Sequence, residues 1–220
     1  MKEEKFFFFF NIFKRGFFME YSVTFKNESS NFGDICIYQE DPNLDIDVMS
    51  LAWLTKSAHP MTTVKFTWST DYVFVWGESG ELQPGTIFKS SQIIGADLNT
   101  NNMVELSYEN NAYKFKNLQT NPDKEGELYI VENSSIPLNE AIVGIGMSGF
   151  GTFVKQAQPN MNLFFRPHPK YWISFGEYSQ GEVLDITRIT NKALLEFKPN
   201  VYSLTATLSQ DNSWEITTSV

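Results

Sequence analysis

From Met19 onward, apolar and polar residues alternate with period two in short runs, and turn-forming residues separate the runs. Residues 21–26 (YSVTFK) put Tyr21, Val23 and Phe25 on one face. Residues 34–38 (DICIY) form a second strand beyond the turn NESSNFGD, which predicts a hairpin. Residues 48–54 (VMSLAWL) fit a buried strand or a short helix, with the strand preferred, and residues 64–68 (VKFTW) direct Val64, Phe66 and Trp68 inward. Residues 71–76 (DYVFVW) are apolar on both faces, as in the centre of a two-layer protein. Further strands are predicted at 86–90, 92–98, 104–108, 112–116, 128–131, 141–147, 151–156, 161–166 and 171–175. Residues 183–197 fit either a short helix or an edge strand, and a hairpin around SQDNS joins 202–208 to 214–218. With no long amphipathic helix and no repeat, the pattern predicts an all-β fold. Its expected form is a single-domain antiparallel β-sandwich, jelly-roll-like, over residues 19–220.

The stretch 141–176 holds four closely spaced glycines and the motif GIGMSG, which has the G-x-G-x-x-G spacing of a dinucleotide-binding turn. That motif works only where a helix follows and its N-terminus meets the pyrophosphate. Here FGTFVKQAQPN follows, with another glycine, β-branched residues and a proline, so a glycine-rich strand and turn is the better reading. Ala141, Val143, Ile145 and Met147 then share one face; Gly144, Gly146 and Ser148 share the other, where a neighbour can approach closely.

Composition narrows the classes. The chain has 220 residues with 20 Phe, 9 Tyr and 5 Trp, enough apolar material for a folded core. A formal net charge of −9 without a basic run argues against nucleic acid and anionic membrane surfaces as partners. The single cysteine, Cys36, forbids an internal disulfide, and its place in an alternating strand predicts a buried, inert thiol. Residues 1–18 (MKEEKFFFFFNIFKRGFF) stand apart as an extra N-terminal segment. Their apolar run is too short for a membrane span and lacks the layout of a secretion signal. The expectation is that they are disordered or a mis-assigned start, with translation beginning at Met19. A cytoplasmic location follows from the missing export signal and the one free thiol, with export by another route left open.

The segments SLAWLTKSAHPMTTVKFTW, DYVFVWGESGELQPGTIFKSSQ, GIGMSGFGTFVKQAQPNMNLFFRPHPKYWISFGEYSQGEVLDIT and PNVYSLTATLSQDNSWEI resemble the bacterial rhizosphere-induced protein family. The resemblance runs from Met19 to the C-terminus. It implies a bacterial protein tied to life near plant roots or another host, and it brings no catalytic residue, cofactor or ligand with it.

Candidate chemistry is sparse. Asp41, Asp45 and Asp47 lie in one loop but lack the D-x-[DN]-x-[DN]-G spacing of a calcium loop, so turn and cap roles are preferred. His59 and His168 sit in His-Pro pairs far apart in sequence, and loop ordering is preferred to a metal site. Ser79 and Ser148 do not form a G-x-S-x-G elbow. Glu78, Glu81, Asp97, Glu177, Glu182 and Asp185 show no spacing that singles out an acid–base pair. Among the aromatics, Trp172 falls on the opposite parity from Tyr171, Ile173 and Phe175. An outward Trp can stack on a sugar ring, and Arg166, His168 and Tyr178 are its expected companions in a ligand site. The contrary reading is that the opposite sheet face is covered and Trp172 is buried. These residues predict a non-enzymatic binding protein, without cofactor or metal, that recognises a glycan or a host or microbial surface. A polysaccharide-active hydrolase and a self-associating or toxin-like structural protein are the alternatives.

Overall fold

A computed structural model describes residues 19–219; the predicted extra segment 1–18 lies outside the described residues. The chain runs through β1 (Glu20–Asn27), β2 (Gly33–Glu40), β3 (Met49–Ser50), β4 (Leu54–Ala58), β5 (Thr63–Ser69) and β6 (Tyr72–Gly77). It continues through β7 (Gln92–Ala96), β8 (Met103–Glu109), β9 (Ala112–Gln119), β10 (Leu128–Glu132), β11 (Ile142–Met147) and β12 (Phe150–Gln156). It ends with β13 (Asn162–Phe165), β14 (Lys170–Gly176), β15 (Lys192–Leu195), β16 (Ser203–Leu208) and β17 (Trp214–Thr218). Among the described residues, a 3₁₀ turn at Pro122–Lys124 is the one helical element in an otherwise all-β arrangement. No helix among the described residues is long and apolar enough to cross a membrane.

The strands form four sheets: sheet I in the order β17-β16-β1-β5, sheet II β15-β14-β2-β4, sheet III β3-β12-β11-β6-β7 and sheet IV β13-β10-β8-β9. Sheets I and II face each other across one core that includes Val23, Phe25, Ile37, Trp53, Phe66 and Trp68. Sheets III and IV enclose a second core around Phe74, Leu106, Phe115, Ile130, Ile145 and Phe153. The architecture is thus sandwich-like, as the alternation predicted. Most ladders are antiparallel; β1–β16 and β8–β10 are parallel.

The outer faces of sheets II and III are covered as well. Thr86 to Phe88 bonds to Gly181 and Val183 as a paired strap rather than as the predicted strand, with a single β-bridge from Ile87 to Glu182. Beneath that strap Val73, Val75, Phe88, Ile142, Val154 and Val183 form a third cluster. Double coverage explains why β6 is apolar on both faces.

Two local expectations change. The predicted β1–β2 hairpin does not form: β1 pairs with β5 and β16, and β2 with β4 and β14. Both strands point apolar faces into one core, so the connection arches between sheets. Asn27 holds the arch, its Nδ2 donating to Asn31 O at 2.8 Å and its Oδ1 accepting from Ser29 Oγ at 2.6 Å. The run 48–54 also fails to be one strand, because Leu51, Ala52 and Trp53 enter three different clusters. A regular strand sends neighbours to only two faces.

The glycine-rich stretch is a hairpin. Ser148 (φ 53°) and Gly149 (φ 80°) make a tight turn between β11 and β12, and no helix follows. A Cβ at Gly144 would lie 2.0 Å from the carbonyl oxygen of Phe153, so the neighbouring strand requires glycine there. The dinucleotide spacing is therefore a strand-packing pattern.

Candidate functional site

Strand β13 reads Asn-Leu-Phe-Phe, and strand alternation sends Leu163 and Phe165 into the core. Phe164 is left on the outer face of sheet IV, 47% exposed. Its cross-strand partner is Tyr129 of β10, and the two rings stack with centroids 6.1 Å apart and planes 24° apart. Lys124 places its ammonium 5.0 Å from the Tyr129 ring centroid. One residue beyond the strand, Arg166 shares the Phe164 parity. Its guanidinium grips Glu127, the residue just before β10, while the side chain stays 64% exposed. Pro167 and Pro169 flank His168, whose Nδ1 lies 3.0 Å from Arg166 O.

The loop after β2 supplies the facing wall. Asp41 Oδ1 accepts from Asn43 N at 3.0 Å, and its Oδ2 accepts from His168 N at 2.7 Å, which ties the loop to the β13–β14 connection. Farther along, Asp47 and Asp45 meet Lys155 Nζ at 2.9 and 3.6 Å. Asn43, Leu44, Asp45, Phe164, Arg166 and His168 line a cleft of about 300 Å³ between these walls. The cleft offers one aromatic face, two nitrogen-bearing side chains, one amide and one carboxylate, a set suited to holding a polar ring by stacking and hydrogen bonds.

Behind the loop lies an unusual group. Glu132 ends β10 with its side chain on the core side, 1% exposed. Its Oε1 accepts from Gln158 N at 3.2 Å, and its Oε2 is buried without a partner. Burial pushes its carboxyl up to about 8, against the opposing pull of the Gln158 N–H and the Lys155 charge. At neutral pH the group is therefore largely protonated.

The four residues anticipated for a ligand site separate into two pairs. Arg166 and His168 meet in the cleft. Trp172 and Tyr178 belong to the covered outer face of sheet II, packed with Cys36, Tyr38, Leu184, Ile186 and Ile189. Trp172 Nε1 is buried without a hydrogen-bond partner, and Lys192 Nζ stands 4.6 Å from the ring centroid. Tyr178 shares a hydrogen bond with Ser174 Oγ at 2.7 Å. Burial, reinforced by the Glu182 charge, pushes the Cys36 thiol up, which agrees with an inert cysteine. His59 lies elsewhere, against Phe32 at 4.5 Å between ring centroids. No group of three His, Cys, Asp or Glu suited to a metal occurs among the described residues. Phe164, Tyr129 and Asn43 were missed by the sequence reading. The signal for Phe164 was present, since NLFFR puts it on the Arg166 side.

The RhiA family profile matches residues 19–219. The chain is 34% identical over 200 residues to Protein RhiA of Rhizobium leguminosarum bv. viciae, an alignment spanning 90% of this chain and 86% of that protein. No solved structure matches significantly.

Proposed function

The chain belongs to the RhiA family, the rhizosphere-induced proteins, and from that premise we propose that it is a non-enzymatic binding protein whose cleft takes a carbohydrate. The observation that carries this reading is the exposed Phe164 ring, stacked on Tyr129 and set beside Arg166, His168 and Asn43. A pyranose presents C–H groups on its faces and hydroxyls around its rim. An aromatic platform takes the first, and a rim of amide, guanidinium, imidazole and carboxylate takes the second. Two carboxylates at the cleft are engaged: Glu127 by Arg166, and Asp45 by Lys155. That pairing favours a binding surface over an acid–base pair free to move protons.

The test is a glycan array with an insoluble-polysaccharide pull-down, comparing the native chain with Phe164→Ala, Arg166→Ala and Trp172→Ala. The expected result is binding that Phe164→Ala weakens about tenfold, a loss of roughly 1.4 kcal/mol. Trp172→Ala should retain it. Binding lost only in Trp172→Ala would move the site to the outer face of sheet II. No binding to any glycan would overturn the proposal.

A further inference from the structure

Every open sheet has edges, and an exposed edge is a template for another strand unless something blunts it. Among the described residues, the edge strands of five or more residues are β4, β5, β7, β9 and β17. Four of them carry charge: Lys56 on β4, Lys65 on β5, Lys114 on β9 and Glu215 on β17. Strand β7 is Gln-Ile-Ile-Gly-Ala, with no charge and no proline. It pairs with β6 on one side, and no strand hydrogen-bonds to its backbone on the other, although β9 of sheet IV comes close enough to reach the Gln92 side chain. The strand is firmly placed: Gln92 Oε1 accepts from Trp76 Nε1 and from Phe115 N, each at 2.8 Å.

We infer that β7 is a homodimerisation edge, on which a second copy of this chain adds its own β7 antiparallel about a two-fold axis at Ile94. Three features of the strand fit that register. First, the axis sets Ile93 opposite Gly95 of the second copy. Ile93 is 47% exposed, and a Cβ at Gly95 would find no heavy atom within 4 Å, so the isoleucine of each copy has an open place to lie. Second, Ile94 and Ala96 pack on the core between sheets III and IV, so meeting at Ile94 extends that core across the axis. Third, exposed Lys89 precedes the strand and exposed Asp97 follows it. Neither is ion-paired among the described residues. The two-fold sets each Asp97 against Ser91 of the other copy, two residues along the chain from that copy's Lys89, so opposite charges fall at the same end of the seam. A parallel in-register pairing would instead set Asp97 against Asp97 and Lys89 against Lys89. For an acidic chain, the uncharged strand and its complementary flanks also remove the like-charge repulsion that other surfaces present. Two five-stranded sheets then become one of ten strands.

Sedimentation equilibrium on the full chain tests this, with Ile93→Lys and Ile93→Glu as variants. The native protein should show a reversible dimer, and each variant alone should fall to a single chain mass while keeping the native far-ultraviolet circular dichroism spectrum. In the two-fold register residue 93 of one copy lies diagonal to residue 93 of the other. An equimolar mixture of the Lys and Glu variants should therefore recover the dimer at least tenfold better than either alone. A native protein that stays monomeric would overturn the inference. So would association that persists in Ile93→Lys, or a mixture that fails to reassociate while each variant stays folded.

Discussion

The core between sheets I and II and the outer face of sheet IV use the same residue types for opposite ends. In the first, Tyr21, Trp53, Trp68, Tyr171 and Phe197 touch ring to ring, with Tyr21–Phe197 at 4.8 Å, Trp68–Tyr171 at 5.3 Å and Trp53–Trp68 at 5.5 Å. Edge-to-face and tilted contacts of this kind add to the area buried, and the cluster is closed to solvent at Trp53 and Trp68. On sheet IV, Tyr129 and Phe164 make one stacked pair and leave a ring face toward water. Aromatic content therefore says little about binding. What matters is whether both faces of a ring are already used.

The sharpest way to break that contrast is to remove an aromatic from the closed cluster. Trp53→Ala should cost about 3–5 kcal/mol, the range for a buried large aromatic. Part of that loss is the hydrogen bond from Trp53 Nε1 to Met147 O, at 3.0 Å. At roughly 2–4 °C per kcal/mol for a domain of this size, the melting temperature should drop by about 10 °C. Urea unfolding measures it directly, and a cost below about 1 kcal/mol would show that the cluster is not a stability centre.

The second sandwich differs by holding a buried acid, and this can be read in the pH dependence. Glu132 titrates near 8 in the folded protein against an ordinary 4.5, so the native state binds more protons than the unfolded state between those values. Stability should therefore fall as pH rises from about 4.5 through about 8 and level off above, with a total change on the order of 3–5 kcal/mol. Glu132→Gln keeps the shape and removes the charge. It should flatten that slope and make the variant more stable than native by a few kcal/mol at pH 9, with little difference at pH 4.5. Thermal melts across this range would sink the assignment if the native and variant curves ran parallel.

These contrasts were unevenly legible in the sequence. Alternation revealed most strands and the inward set Val23, Phe25, Phe66 and Trp68, because a half-buried strand writes its environment with period two. It also put Trp172 correctly on the face opposite Ile173. It could not show that the segment carrying Leu184, Ile186 and Ile189 would fold over that face, since these residues come from a stretch with no strand of its own until Lys192. The β1–β2 pairing failed for a related reason: sequence neighbours with inward faces satisfy one core equally well as a hairpin or as an arch. Half of the candidate site was visible as Arg166 and His168. The loop wall of Asn43 and Asp45 was not, because only the fold brings residues so distant in sequence beside β13. Glu132 was hidden too, as the last residue of ELYIVE has the parity of Leu128 and Ile130 but the identity of a surface residue.

The smallest effect on stability should be the most informative about the comparison. Phe164→Ala removes a ring as large as those in the closed cluster, but from a position already 47% exposed. Little area returns to water, no cavity opens in the core, and the loss is confined to one stacked contact with Tyr129. The expected cost is about 0.5 kcal/mol, within the ordinary range for surface substitutions. Urea titration of Phe164→Ala beside Trp53→Ala should thus separate the two rings by several-fold in free energy. If Phe164→Ala instead cost as much as a core residue, the Phe164–Tyr129 pair would be holding β13 to β10, and its exposure would reflect packing at a sheet edge rather than a surface kept open for a ligand.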